Sequence, residues 1–169
     1  MKVLRTLLTA LFIALPTACG LDVVEFDVVE EGGVGLAGLS LPGLQSFGSS
    51  LSSALSVKNI DPGDVDSLRL LGADLEMTSA GGLTQDLSFI KKLDFLVSAS
   101  GRQPTLLAHS PEIASGQKKV DLEVIPQLEL KPYLEAGDMS ISTDAQLDPP
   151  PPDRVDLKLA FHLRVDVNL

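Results

Sequence analysis

From Val155 to Val167 every second residue is apolar: Val155, Leu157, Leu159, Phe161, Leu163, Val165 and Val167. The positions between them carry Asp156, Lys158, His162, Arg164 and Asp166, with Ala160 among them. An unbroken period of two predicts a strand with one face on a core and the other on water, the arrangement antiparallel sheets use. Leu93, Phe95, Val97 and Ala99 repeat the pattern, as do Val120, Leu122 and Val124. Near the start, Asp22 to Glu30 sets Val24, Phe26 and Val28 against Glu25 and Asp27.

Further strands are predicted over Ala54 to Lys58, Val65 to Thr78, Leu93 to Ala99, Pro104 to Ala108, Val120 to Pro126, Gln127 to Leu130, and Met139 to Thr143. Turn-forming runs separate them: Asn59 to Asp64, Ala80-Gly81-Gly82, Ser100-Gly101-Arg102, Ala114 to Gln117, and Pro149 to Pro152. Short strands at such spacing indicate an all-β fold, an antiparallel β-sandwich or a barrel.

Three stretches read differently. Residues 31–50 hold six glycines, no charge after Glu31, and mainly Leu and Ser, which predicts an apolar loop. Within it and just beyond, Leu44, Phe47, Leu51 and Leu55 fall three or four apart, as one stripe of a short helix or lid on the β core would. The same stripe would serve an amphipathic segment that touches a membrane or ligand, but without Lys or Arg it is poorly suited to an anionic bilayer. Leu83, Leu87, Ile90 and Leu93 also suit one helical face, so a short helix between Ser79 and Lys92 is a second option there. Pro149 to Pro152 could serve as a polyproline ligand. A stiff connection unable to join a ladder is the simpler reading.

Composition narrows the functional classes. The chain has 169 residues and a formal charge of -10. Lys2 and Arg5 are the only charges before Cys19, so residues 19–169 hold 11 bases against 23 acids, a net of -12. A surface of that sign repels phosphate backbones, which argues against nucleic-acid binding. With no Trp and one Tyr, an aromatic platform for sugars is not expected. Cys19 is the only cysteine, which rules out an internal disulfide and a cysteine-based zinc site.

Cys19 also closes a recognisable leader. Met1 to Arg5 is a short positive start, Thr6 to Leu15 an apolar stretch, and Pro16-Thr17-Ala18 a small-residue exit. Ten apolar residues rise only about 15 Å as a helix, roughly half of a hydrocarbon core, so this is a signal peptide over 1–18 and not an anchor. Residues 19–169 then form a single domain. Leu15-Pro16-Thr17-Ala18-Cys19-Gly20 resembles the lipobox of bacterial lipoproteins, with Pro16 where that motif has a large aliphatic residue and Leu15 one place early. The resemblance implies a lipid on Cys19 and a membrane anchor. Gly20, in place of Asp, implies sorting to the outer membrane. The alternative is an ordinary signal peptide cut near Ala18 or Gly20. More diffusely, the exported leader, the turn after an early strand and the long alternating final strand resemble Gram-negative envelope lipoproteins of immunoglobulin-like sandwich type.

Catalytic motifs are sparse. His109 and His162 are the only histidine bases, and no Gly-x-Ser-x-Gly frame surrounds any serine. His162, on the polar face of the last strand, reads as solvated. Asp61-Pro62-Gly63-Asp64-Val65-Asp66 offers hard oxygen ligands near a turn, yet lacks the length and terminal Glu of a calcium loop, so a solvated turn is expected. The sequence therefore predicts a non-enzymatic, membrane-anchored envelope protein without cofactor or metal, with a structural role or a protein partner. The competing class is a carrier of lipid or another apolar ligand, with Gly33 to Ser50 as its lid.

Overall fold

The computed structural model describes residues 21–80 and 84–168. The leader, Cys19 and Gly20 lie outside the described residues, as does Leu83. Among the described residues eight antiparallel strands form one continuous sheet in the order β2-β1-β8-β3-β6-β5-β4-β7. They are β1 (Leu21–Gly35), β2 (Gly38–Ser40), β3 (Val65–Ala80), β4 (Ile90–Ser98), β5 (Thr105–His109), β6 (Lys119–Val124), β7 (Ser140–Leu147) and β8 (Val155–Asn168). The sheet coils until β2 approaches β7, nearly closing a barrel. The all-β, antiparallel expectation is met.

The last strand is the centre of this architecture. β8 pairs with β1 from Leu21↔Asn168 to Val34↔Val155, and on its other side with β3 from Val65↔Val167 to Ala80↔Val155. Its seven alternating apolar residues are each at most 1% exposed. β3 keeps the same inward face only by shifting phase: bulges at Asp66, Leu71 and Thr78 each insert one residue, so the buried series runs Val65, Leu68, Leu70, Ala73, Leu75, Met77. Such insertions bend a strand and increase its twist, which is what closing a barrel demands. β6 then changes partner along its length. Val120 and Leu122 register with β3, whereas Glu123 and Val124 register with β5.

The open seam between β1 and β7 is filled by residues 42–57. A 3-10 turn (Pro42–Ser46) leads into α1 (Phe47–Val57), and both lie against β1 and β7. The stripe Leu44, Phe47, Leu51 and Leu55 is 0–2% exposed. Phe47 meets Phe161 edge-on at 5.0 Å, and Phe161 meets Phe95 of β4 at 6.1 Å, so three rings from the helix and both halves of the sheet share one core. No side chain caps the N-terminus of α1, and it carries no acid in its first turn or base in its last. Burial therefore holds this helix in place of local propensity. It ends where Asn59 adopts φ 58° and the Asn59 and Ile60 amides donate to the Ser56 and Leu55 carbonyls, a Schellman closure with Ile60 buried beneath it.

Several expectations are corrected. Residues 31–40 are not a loop: β1 runs on to Gly35 and turns into β2. The glycines there mark close approach, since a side chain on Gly32 would collide with the Ser40 carbonyl. Residues 54–58 are not a strand, because Leu51 and Leu55 belong to one helical face. Gln127 to Leu130 contributes only an isolated bridge, Arg69↔Glu129, before the single-turn helix α2 (Lys131–Leu134). Residues 84–89 form bends and turns, with Leu87 buried, and not a helix.

Candidate functional site

The polar face of β8 is where the fold gathers interacting charges. Register places Asp27 of β1 opposite His162 on one side, and Gly72 of β3 on the other. Because Gly72 brings no side chain, the imidazole reaches past it to Asp74, two residues along β3. His162 Nδ1 lies 2.7 Å from Asp27 Oδ1, and its Nε2 lies 2.9 Å from Asp74 Oδ1. Lys119 of β6 extends the chain, with Nζ 3.1 Å from Asp74 Oδ2. Four neighbouring strands are thus linked by one polar row, and His162 is no solvated bystander.

Electrostatics follow from this geometry. Hydrogen bonds to Asp27 and then Asp74 favour the imidazolium and raise the pKa of His162. Burial pushes Asp74 up, since it is only 8% exposed, but hydrogen bonds from His162 and Lys119 outweigh this and hold its carboxyl below the ordinary range. When the ring is protonated, both nitrogens donate to carboxylates. The arrangement clamps β1, β8 and β3 together on their outer face. Beside it lies an open cleft of about 430 Å³ lined by Glu25, Phe26, Asp27, Leu71 and Leu163.

His109 ends β5, and its Nε2 lies 3.0 Å from Glu123 Oε2. Its Nδ1 is buried without a partner, as is Ser110 Oγ, so no hydrogen bond joins this neighbouring histidine and serine as base and nucleophile. At Asp61, Oδ1 accepts the Gly63 amide at 2.8 Å in an exposed 3-10 turn. Among the described residues no group of three or more His, Cys, Asp or Glu is placed to hold a metal ion, and no helix is long and apolar enough to cross a membrane. Pro149 to Pro152 stay outside every ladder and border a surface cleft of about 560 Å³ with Thr84, Gln85 and Phe89.

Glu129 forms a second polar device, for which its own stretch of sequence carries no signal. Glu129 stands beside β3 where β6 does not reach, and its carboxylate accepts the Leu68 amide at 2.6 Å, Ser67 Oγ at 2.7 Å and the Lys131 amide at 3.2 Å. It substitutes for a missing strand. The fold and its polar face together define an antiparallel, barrel-like domain with a filled core. Comparison with protein families, curated proteins and solved structures finds no match to this chain.

Proposed function

We propose that this chain is an exported, non-enzymatic envelope protein, tethered by a lipid on Cys19, whose barrel serves a structural or protein-interaction role. The observation that carries this reading is the spacing between tether and fold: β1 is already formed at Leu21, two residues after Cys19. Acyl chains contribute about 0.8 kcal/mol per buried methylene, and two or more of them anchor stably. With so short a connection the ends of β1 and β8 would lie next to the headgroups. The leader supports export, and Gly20 supports the outer membrane.

The meeting of two sheet halves at β6 supports a sandwich-like relation, with an immunoglobulin-like sandwich as its finer form. The alternative role, a carrier of lipid or another apolar ligand, has an aliphatic interior in its favour, but Phe47, Leu51 and Leu55 occupy that interior. Intact-mass analysis of the native N-terminus tests the anchor: diacylated Cys19 at the first position is expected, and an unmodified or absent Cys19 would overturn it. Native mass spectrometry without detergent tests the carrier, which requires a bound lipid of defined mass.

A further inference from the structure

β1 is paired along its whole length by β8 on one side, whereas on the other residues 42–57 pack against it without joining its ladder and most of its backbone groups stay unpaired. β8 covers it from Leu21 to Val34, whereas β2 meets it only at Gly33, Val34 and Gly35. Among the described residues no backbone hydrogen bond reaches the second edge of Leu21 to Val29. The outward side chains of this strand form a row of Val23, Glu25, Asp27, Val29 and Glu31, all exposed, with Val23 at 47% and Val29 at 45%. An open edge of this kind is a template for strand addition.

The charge of the row selects what can add. Leu21 to Gly35 contains Asp22, Glu25, Asp27, Glu30 and Glu31 and no basic residue. A second copy pairing antiparallel on this edge would bring acids against acids, which is destabilising across strands. The strand already paired to β1 shows the complementary pattern. β8 sets Arg164 opposite Glu25, His162 opposite Asp27, Lys158 opposite Glu31 and Ala160 opposite Val29. The same outward row faces the bare edge.

We infer that the free edge of β1 receives an extended basic segment of a partner protein, with Lys or Arg at alternate positions and small apolar residues between. Backbone hydrogen bonds along Leu21 to Val29 supply the attachment, and Glu25, Asp27 and Glu31 set the specificity. The inference rests on the protein-interaction reading, and it names the chemistry of the partner.

The test uses the chain as isolated from cells and a twelve-residue peptide alternating Val and Lys. The expected result is saturable one-to-one binding, with slowed amide exchange confined to Leu21–Val29. A peptide of the same composition with its lysines in one block should bind at least about tenfold more weakly, as should an alternating Val and Glu peptide. The double substitution Glu25→Lys with Glu31→Lys should reverse the preference between the Lys and Glu peptides. If that variant does not fold, Val23→Lys with Val29→Lys, which alters only exposed valines, should weaken the Lys peptide instead. Equal binding of the blocked and alternating peptides, unchanged exchange in β1, or self-association through β1 would each overturn the inference. An unmodified N-terminus would remove the anchor and leave this result untouched, so the two readings fail separately.

Discussion

Asp74 and His162 sit on adjacent strands two register positions apart, yet their side chains meet at 2.9 Å because Gly72 leaves the intervening space open. Asp27 holds the other ring nitrogen, so the proton state of one imidazole decides how firmly β1, β8 and β3 are joined on their outer face. When the ring is charged, both nitrogens donate. When it is neutral, one nitrogen presents a lone pair to a carboxylate.

A pH dependence of stability follows. The His162 pKa is raised on folding, so its contribution is complete below the unfolded value of about 6.5 and is lost as pH rises through the higher folded value. The Asp74 pKa is lowered, so its contribution is present above about 4 and is lost as pH falls through the lower folded value. Other charges face the pair: Glu25 from β1, Glu76 and Arg69 from β3, Lys119 and Asp121 from β6, and Lys158 and Arg164 on β8 itself. Urea midpoints measured across pH should therefore fall above about pH 6.5. His162→Gln should remove most of that fall and cost about 1 kcal/mol at pH 5.5, in the range of partly exposed ion pairs. An unchanged slope in the variant would show that the clamp does not titrate as described.

Glu129 predicts a different signature. Burial opposes its charge, but the Leu68 amide, the Ser67 hydroxyl, the Lys131 amide and Arg69 hold its pKa below the ordinary range. Glu129→Ala leaves the Leu68 amide without an acceptor and should cost about 1–3 kcal/mol. Glu129→Gln, which keeps one acceptor oxygen, should cost less. Amide exchange at Leu68 should accelerate in Glu129→Ala; unchanged exchange would mean that another group satisfies it.

Much of this fold is legible in the sequence wherever one side chain reports one face. The seven apolar positions of β8, the series through Leu93 to Val97 and the stripe at Leu44, Phe47, Leu51 and Leu55 all fall on the core. What escapes is information carried by pairing. Gly32 and Gly33 resemble a loop until β2 is known to press against the first, and Arg154 and the start of β8 against the second. Residues 54–58 have strand-like composition but are committed to α1 by Leu51, one turn earlier. Glu129 finishes a strand edge from within an irregular segment. His162 is indistinguishable from a solvated surface residue until register brings Asp27 and Asp74 to it, since each acid is unremarkable within its own strand.

Close packing at Gly43 makes a coupling measurable. Glu30 faces inward on β1 and is 8% exposed, and a side chain on Gly43 would run into its carboxylate. Gly43→Ala should destabilise by about 1–3 kcal/mol, as overpacking does. Glu30→Ala vacates that space, so the double variant should be more stable than the sum of the single effects predicts, by about 1 kcal/mol or more. Additive costs from urea unfolding would place the strain elsewhere.

Phe47 is the residue on which closure of the seam depends most. It is 1% exposed at the start of a helix with no side-chain cap, in contact with Phe161 on the central strand. Truncation to Ala removes a large buried ring and should cost about 3–5 kcal/mol. Because packing and not propensity maintains α1, the loss should appear locally as well as globally: amides of Phe47–Val57 should exchange faster than those of β8 under conditions where the barrel remains folded. Phe47→Leu, which preserves apolar contact without the ring, should recover more than half of the lost stability. If Phe47→Ala lowers protection uniformly across β8 and α1, the helix is an integral part of one cooperative unit and not a separately opening seam.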